Sequence, residues 1–266
     1  MSEKSIVVAV ATHKPYRMPT DPIYLPLHVG AALRPEVCAG MQGDNTGDSI
    51  SERNPYYSEL TGLWWLWRNV EADYRGLVHY RRHLESPSIL RRRARDPLDR
   101  VVMGEELLPL LEQSGVVVAR RRNYYIETVY SHYAHTFDAL QFDECRRVLK
   151  GLSPEYVPYW DRLMCSRGAH IFNMFVMRSD ILDAYCSWMF QVLFELERRI
   201  DPASYDAFGA RYLGRVSERL LDPWLWANGI KPVELPVVSP EPVDWVAKIS
   251  GFLAAKFLGK RYEKSF

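Results

Sequence analysis

The tetrapeptide HYRR, residues 79–82, follows a short apolar run and offers the chemistry of an anion-binding site. Arg81 and Arg82 carry charges that do not depend on pH, and a guanidinium group holds phosphate oxygens in a fixed fork. A strand that delivers arginine beside His79 could stabilise a diphosphate leaving group without a metal ion. Because successive side chains of a strand point to opposite faces, the spacing predicts that one of the two arginines faces the ligand.

Two other apolar runs end in the same way. SIVVAVATHK, residues 5–14, ends in Thr12, His13 and Lys14, and GVVVARRR, residues 115–122, ends in three arginines. Each run has the length and the continuous hydrophobicity of a buried strand. AHIFNMFVM, residues 169–177, predicts a fourth strand, and KPVELPVV, residues 231–238, predicts a late edge strand that proline limits.

Helical patterns lie between these runs. Residues 54–70 begin with Asn54 and Pro55, which suit the N-cap and the first turn of a helix. Residues 137–151 and 179–200 repeat apolar residues at helical spacing, and residues 205–229 predict a long helix bent near Pro223. Strands that alternate with helices predict an α/β fold with a partly parallel sheet, and ligands bind such sheets at the carboxyl ends of the strands.

Two polar segments could hold a metal ion or a sugar. In DNTGDSI, residues 44–50, the glycine position and the lack of a bidentate glutamate exclude a calcium loop, while the short side chains suit a turn or ligand hydroxyls. HYAHTFD, residues 132–138, sets two histidines one helical turn apart but lacks the spacing of a zinc protease. Hydrogen bonding, or Asp138 acting as a base beside a histidine, fits the second segment better.

Composition excludes several classes of protein. The 266 residues carry a formal net charge of +1, so the chain is not a generally basic nucleic-acid binder. The four cysteines have no CxxC spacing, which predicts free thiols in a reducing cytoplasm. The N-terminus is typical of a first strand rather than of a signal peptide. The usual motifs of nucleotide hydrolysis, dinucleotide binding and serine hydrolases are absent from the sequence.

Five ordered motifs carry a resemblance to a known family: ATHKPY, GDNTGDSISERNPYYSELTGLWWLWRN, YRGLVHYRRHL, NMFVMRSDILDAYCSWMFQVLFELE and RYLGRVSERLLDPWLW. Together they resemble bacterial capsular or exopolysaccharide biosynthesis proteins, long catalogued as a domain of unknown function. The resemblance implies a single-domain glycosyltransferase over residues 1–240, with a GT-A-like (Rossmann-like) mixed sheet. Some members look like galactofuranosyltransferases, which implies UDP-galactofuranose or UDP-galactose as the donor.

The resemblance also implies roles for individual residues. The implied nucleotide and diphosphate contacts are Thr12, His13, Lys14, His79, Arg81 and Arg82. The implied sugar contacts are Asn45, Thr46, Asp48, Asn54, Glu59, His135, Arg167, His170, Asn173 and Arg219. HYRR stands where GT-A enzymes carry Asp-x-Asp, which favours cationic side chains over a metal ion, although Mn²⁺ or Mg²⁺ stays open. Inverting transfer needs a carboxylate as base, and the candidates are Asp138, Asp44 and Glu218 in that order.

These observations predict a cytoplasmic, inverting glycosyltransferase that works on a lipid-linked glycan and has no nucleic-acid partner. Residues 241–266 interleave apolar residues with lysine, which fits an amphipathic helix at the anionic inner membrane face, or a segment packed on the domain. Two alternatives stay open. One is a metal-dependent hydrolase or phosphodiesterase built on DNTGD and HYAHTFD, and the other is a non-catalytic glycan-binding assembly protein.

Overall fold

The computed structural model describes residues 4–241, a chain of short strands alternating with helices. The strands are β1 (Ile6–Thr12), β2 (Tyr24–His28), β3 (Gln42–Gly43), β4 (Tyr74–His79), β5 (His83–Leu84), β6 (Val116–Ala119), β7 (Arg122–Asn123), β8 (Gly168–Ala169), β9 (Phe175–Arg178), β10 (Val233–Leu235) and β11 (Val237–Val238). The helices are α1 (Asn54–Tyr57), α2 (Leu60–Asn69), α3 (Gly104–Ser114), α4 (Val129–Thr136), α5 (Leu140–Leu152), α6 (Val157–Cys165), α7 (Ser179–Arg199), α8 (Tyr212–Ser217) and α9 (Leu221–Ala227).

Within residues 4–241, seven strands form the central sheet in the order β10–β6–β9–β4–β1–β2–β3. Strand β9 runs antiparallel to its neighbours β4 and β6, and the other pairs are parallel. The carboxyl ends of β1, β2, β4 and β6 therefore meet at one edge of the sheet, and β9 begins at that same edge. The predicted fold class, an α/β mixed sheet flanked by helices, is confirmed.

Both faces of the sheet are buried under helices. Val8 and Val10 of β1 pack into a cluster that includes the apolar face of α3. Ala9 and Ala11, which point the other way, pack into a larger cluster with α2, α5 and α7. Since both faces are covered, the strand has no need of polar residues, and this explains why β1 is a continuous apolar run.

The four cysteines are free thiols, as predicted. Cys38, Cys145 and Cys186 are buried, and Cys165 is exposed at the end of α6. Burial raises the pKa of the Cys38, Cys145 and Cys186 thiols, so these side chains stay protonated and act as small apolar groups.

The predicted strand at residues 169–177 is wrong in its first half. Strand β9 begins only at Phe175, because Phe172 and Asn173 adopt left-handed backbone conformations with φ of +82° and +50°. Asparagine takes such an angle more often than most residues, but a bulky residue such as phenylalanine rarely does, so the apolar pattern predicted an unbroken strand. The turn carries Phe172 and Asn173 to the carboxyl edge of the neighbouring strands.

Two predicted helices are each divided. Ser58, with φ of +53°, separates α1 from α2 within the predicted helix 54–70. The predicted helix 205–229 divides into α8 and α9, and the break lies before Pro223 rather than at it. Proline lacks an N–H and its ring clashes with the carbonyl four residues earlier, so the helix restarts at Leu221 and places Pro223 in its first turn.

His83 makes stability depend on pH. Its fully buried ring lies edge-on to Tyr24, with ring centroids 6.2 Å apart, and burial lowers the pKa of this imidazole to about 4. In the unfolded chain the His83 imidazole takes up a proton near pH 6.5. Burial of the neutral ring therefore contributes its full amount to the free energy of unfolding above that pH, and this contribution is lost as pH falls towards 4. We expect it to amount to about 3 kcal/mol. Urea unfolding of His83→Leu between pH 7 and 4 should show a flatter pH dependence than the wild type, and parallel curves would contradict this.

Candidate active site

A cavity of about 1020 Å³ opens at the carboxyl edge of the sheet. Its walls come from the ends of separate strands: His13 after β1, His28 and Gly30 at the end of β2, and residues 79–82 after β4. Phe172, which precedes β9, closes another side. Because the parallel strands end together here, segments distant in sequence meet around one volume, as expected for ligand binding in an α/β sheet.

The lining of this cavity is strongly cationic. Among the described residues, seven arginines line it: Arg34, Arg81, Arg82, Arg122, Arg211, Arg215 and Arg219. The carboxylates in the lining are those of Glu59 and Glu218. Since the whole chain has a formal net charge of only +1, the excess of arginines over carboxylates in this lining is a local feature. Such a lining attracts and binds an anion.

Burial and the neighbouring positive charges lower the pKa of two side chains of the lining. Burial lowers the pKa of His13, and the neighbouring charges of Lys14, Arg211 and Arg81 lower it further. Burial also lowers the pKa of Arg82, with Arg81 adding to the effect. Each cation makes its neighbours more costly to charge, so the cavity is prepared for a ligand that brings negative charge.

One face of α8 and its flanks supplies three of the guanidinium groups. Arg211, Arg215 and Arg219 are spaced four residues apart, and this spacing places side chains on the same helical face. Arg215 donates to the carbonyls of Phe208 and Gly209 at 2.9 and 3.0 Å. Arg211 and Arg215 are missing from the sequence prediction, although the regular spacing of the three arginines was a signal for them.

Strained backbone gathers at the same cavity. Ser58 and Phe172 line it with φ of +53° and +82°, and Asn173 with φ of +50° lies directly behind. Non-glycine residues in such conformations cost of order 1–3 kcal/mol each and concentrate at functional sites. The turn is fastened from the β4 side, since the His79 ring hydrogen-bonds the Phe172 carbonyl and Arg82 lies 4.6 Å from the Phe172 ring centroid.

The two carboxylates of the lining are both held in place. Asn173 donates its amide to Glu59 at 2.7 Å and to the Gly214 carbonyl at 3.2 Å, and it accepts from the Ser217 hydroxyl at 3.1 Å. Glu218 pairs with the buried guanidinium of Arg219. One oxygen of each carboxylate, Oε1 of Glu59 and Oε2 of Glu218, is therefore held by the protein.

Most of the predicted nucleotide contacts lie together. His13, His79, Arg81 and Arg82 line the cavity. Lys14 lies beside it, over the ring of Tyr80 at 5.3 Å. Thr12 is fully buried instead, and its hydroxyl donates to the Lys14 carbonyl at 2.5 Å. Thr12 thus shapes the turn after β1 and does not face the ligand.

The DNTGD segment is a structural loop. Asp44 is fully buried and accepts the backbone N–H groups of Gly30 and Ala31 at 3.0 and 3.1 Å, together with the Ser51 hydroxyl. Thr46 accepts from the Trp65 indole at 2.9 Å. Asp44, one of the three predicted catalytic bases, thus lies outside the cavity lining, and both of its carboxylate oxygens accept hydrogen bonds.

The other end of that loop is fastened to α2. Asp48 accepts from the Trp64 indole at 2.9 Å and from Arg68 at 2.7 Å, both on α2. Neither Asp48 nor Asn45 belongs to the cavity lining. Of the sugar contacts predicted in residues 42–69, only Asn54 and Glu59 line the cavity.

In the HYAHTFD segment, one of the candidate residues lines the cavity and the other two do not. His132 lines the cavity, whereas His135 is exposed and hydrogen-bonds Glu127 at 2.8 Å. Asp138, the first candidate base, accepts from the Tyr205 hydroxyl at 2.8 Å and from the Leu140 N–H at 3.0 Å, outside the lining. Its carboxylate holds the turn that leads into α5. The segment therefore does not combine with DNTGD into the metal site that the hydrolase alternative requires.

Of the remaining predicted sugar contacts, some lie at the cavity and others do not. Arg219 lines the cavity, and Asn173 supports it from behind. Arg167 is exposed elsewhere. His170 is buried, with its ring nitrogens 2.6 Å from Asp222 and 3.2 Å from Glu234. His170 therefore ties β8 to α9 and β10 and does not face the cavity.

The residues at the strand tip do not suit a divalent metal ion. Hard cations such as Mg²⁺ take oxygen ligands, whereas Arg81 and Arg82 follow β4 at this place. Within the described chain, no three side chains of the His, Cys, Asp and Glu type are grouped so that they could hold a metal.

The fold is similar to that of a solved glycosyltransferase. The apo structure of the WbbM bifunctional glycosyltransferase matches 88% of this chain with a TM-score of 0.79 and 29% sequence identity. The match covers 45% of that protein, so this chain spans less than half of its length. A search of the curated proteins gives no match. The family model described as "Domain of unknown function (DUF4422)" matches residues 7–229, and the chain belongs to this family.

Proposed function

We propose that the protein is a glycosyltransferase that binds a sugar nucleotide through its diphosphate. The observation that carries the proposal is the ring of seven arginines around one cavity at the carboxyl edge of the sheet. Guanidinium groups bind phosphate oxygens bidentately, and several of them can share the charge of a diphosphate. The similarity to WbbM, a bifunctional glycosyltransferase, supports the same class of reaction.

In the proposed reaction, an acceptor hydroxyl attacks the anomeric carbon as the bond from that carbon to the diphosphate oxygen breaks. The leaving diphosphate gains negative charge, which the arginines around residues 81–82 and on α8 stabilise in the transition state. The acceptor proton passes to a carboxylate. We assign this role to Glu218, because of the three carboxylates predicted from sequence it is the one in the lining. Attack from the face opposite the diphosphate gives inversion.

The donor and acceptor follow from the resemblance of the sequence to capsular and exopolysaccharide proteins. UDP-galactofuranose or UDP-galactose is the proposed donor, and a lipid-linked glycan is the proposed acceptor. Such an acceptor would place the protein at the cytoplasmic face of a membrane, held by the tail at 241–266, of which all but Glu241 lies outside the described residues. Within residues 4–241, no helix has the length and apolarity to cross a bilayer.

Thermal unfolding in the presence of UDP, GDP, CMP and dTDP tests the proposal without a known acceptor. A ligand that binds only the folded state raises the free energy of unfolding, by about 2.7 kcal/mol at a hundred times its Kd. We expect UDP to raise Tm and the rise to survive EDTA. A rise that EDTA abolishes would restore a metal ion, and no rise with any nucleotide would contradict the proposal and favour a glycan-binding protein.

A further inference from the structure

We infer that the loop of residues 86–96, here called the 86–96 loop, docks the protein on an anionic lipid bilayer. Its tip presents Ile89 and Leu90 to solvent, with 68% and 79% of their surfaces exposed. These are adjacent in sequence and among the most exposed large apolar side chains of the described residues. Two neighbouring aliphatic side chains in water are costly unless another apolar phase receives them.

The loop is held in this conformation by its own hydrogen bonds. Arg91 donates to the carbonyls of Asp99 and Val101, both at 3.0 Å. Arg92 donates to the Ser86 carbonyl at 2.7 Å. Because these bonds fix the backbone on both sides of the tip, Ile89 and Leu90 cannot turn inward without breaking them. The hydrogen bonds of the loop therefore keep Ile89 and Leu90 exposed.

Positive charge surrounds the exposed pair. Arg93 and Arg95 are exposed, and within residues 4–241 their side chains make no hydrogen bond or ion pair. Asp96, which directly follows Arg95, is already paired with Arg17. Aliphatic side chains that enter the acyl region, flanked by arginines at headgroup level, match the two layers of an anionic membrane surface. A nucleic acid would match only the charges.

Strand β11 passes the base of this loop before the described chain ends. Val237 and Val238 of β11 pair with β5, directly before the loop, and the Glu85 N–H donates to the Pro236 carbonyl at 2.7 Å. Because β11 runs antiparallel to β5, the chain then leads away from the loop, and the Ser239 hydroxyl donates to the Arg81 carbonyl at 3.0 Å. The loop therefore has to bind the bilayer through its own apolar pair and its arginines.

Vesicle co-sedimentation of the full-length protein tests the inference. The probes are vesicles of phosphatidylcholine alone and of phosphatidylcholine mixed with phosphatidylglycerol. We expect Ile89→Ser with Leu90→Ser to lower the partition coefficient on the anionic vesicles about tenfold or more. Arg93→Gln with Arg95→Gln should lower binding to anionic vesicles only. The matched control is Leu140→Ser with Leu152→Ser, two leucines of α5 that are 46% and 40% exposed and should leave binding unchanged.

Three outcomes would overturn the inference. The first is wild-type binding by the Ile89→Ser, Leu90→Ser protein. The second is equal binding of the wild type to neutral and anionic vesicles. The third is a wild-type dimer that this double variant converts to a monomer, since a second copy would then cover the pair. Each variant should retain the UDP-induced rise in Tm, so failure here is separable from failure of the proposed function.

Discussion

Replacing Arg82 with alanine is expected to lower the affinity for UDP by about 10- to 100-fold. The Arg82 side chain lies over the Phe172 ring and lines the cavity beside Arg81. A hydrogen bond between charged groups contributes about 1.5–3 kcal/mol, and each 1.4 kcal/mol changes an equilibrium tenfold. Titration calorimetry with UDP measures the effect directly, and the UDP-induced rise in Tm should shrink in parallel.

Two further variants show whether charge or geometry is responsible. Arg82→Lys keeps the charge but loses the planar fork, so its UDP affinity should fall between those of the wild type and Arg82→Ala. Arg146→Ala removes an arginine that pairs with Asp161 on the surface and should bind UDP like the wild type. Unchanged affinity in Arg82→Ala would contradict the assignment. A lower Tm without ligand would show that the variant had lost stability instead.

Glu218→Gln is expected to lower kcat by about 10²- to 10⁴-fold, which is the usual contribution of a general base. Glutamine keeps the size and one acceptor oxygen but cannot take a proton at neutral pH. The partner Arg219 is buried and also donates to the Arg215 carbonyl at 3.0 Å, so the local structure should persist. Affinity for UDP should therefore stay within a few-fold of the wild type. Steady-state kinetics with the donor and an accepted glycan separates the two quantities.

Matched variants at the other carboxylates complete this test. Asp138→Asn should leave kcat unchanged, because Asp138 is outside the cavity lining and its carboxylate is held by the Tyr205 hydroxyl and the Leu140 N–H. Asp44→Asn should lower stability more than catalysis, because the buried carboxylate serves two backbone N–H groups. Glu59→Gln should raise KM through weaker sugar binding. Normal turnover in Glu218→Gln, with kcat lost in Glu59→Gln, would move the base to Glu59.

Much of the cavity could be predicted because strand tips leave a local signal. An apolar run followed by polar or cationic residues marks both the strand and the place where it ends, as at His13 and at Arg81 and Arg82. The topology of an α/β sheet then brings these ends to one edge. Arg215 needed more than a local pattern, because its direction depends on how α8 packs against α1, α5 and α7.

Asp44 shows why the remaining assignments could not be made from sequence. A short acidic side chain in a glycine-rich loop suits a ligand contact and an internal loop contact equally well. The decision depends on Gly30 and Ala31, whose N–H groups reach the carboxylate from the end of another strand. Ser58 and Asn173 are a second kind of failure. Asparagine adopts positive φ more often than most residues, but serine does so rarely, and neither residue type fixes where such a break falls.

The crowded arginines also bear on the order of events in a catalytic cycle. Under the proposed function, the nucleoside diphosphate that leaves carries more negative charge than the sugar nucleotide that enters. The same guanidinium groups on α8 and after β4 hold both molecules. Arginines that stabilise the negative charge of the leaving nucleoside diphosphate speed cleavage of its bond to the sugar. They also bind this nucleoside diphosphate tightly after the reaction. Turnover would then be limited by release of the nucleotide, as in many enzymes whose chemical step is fast.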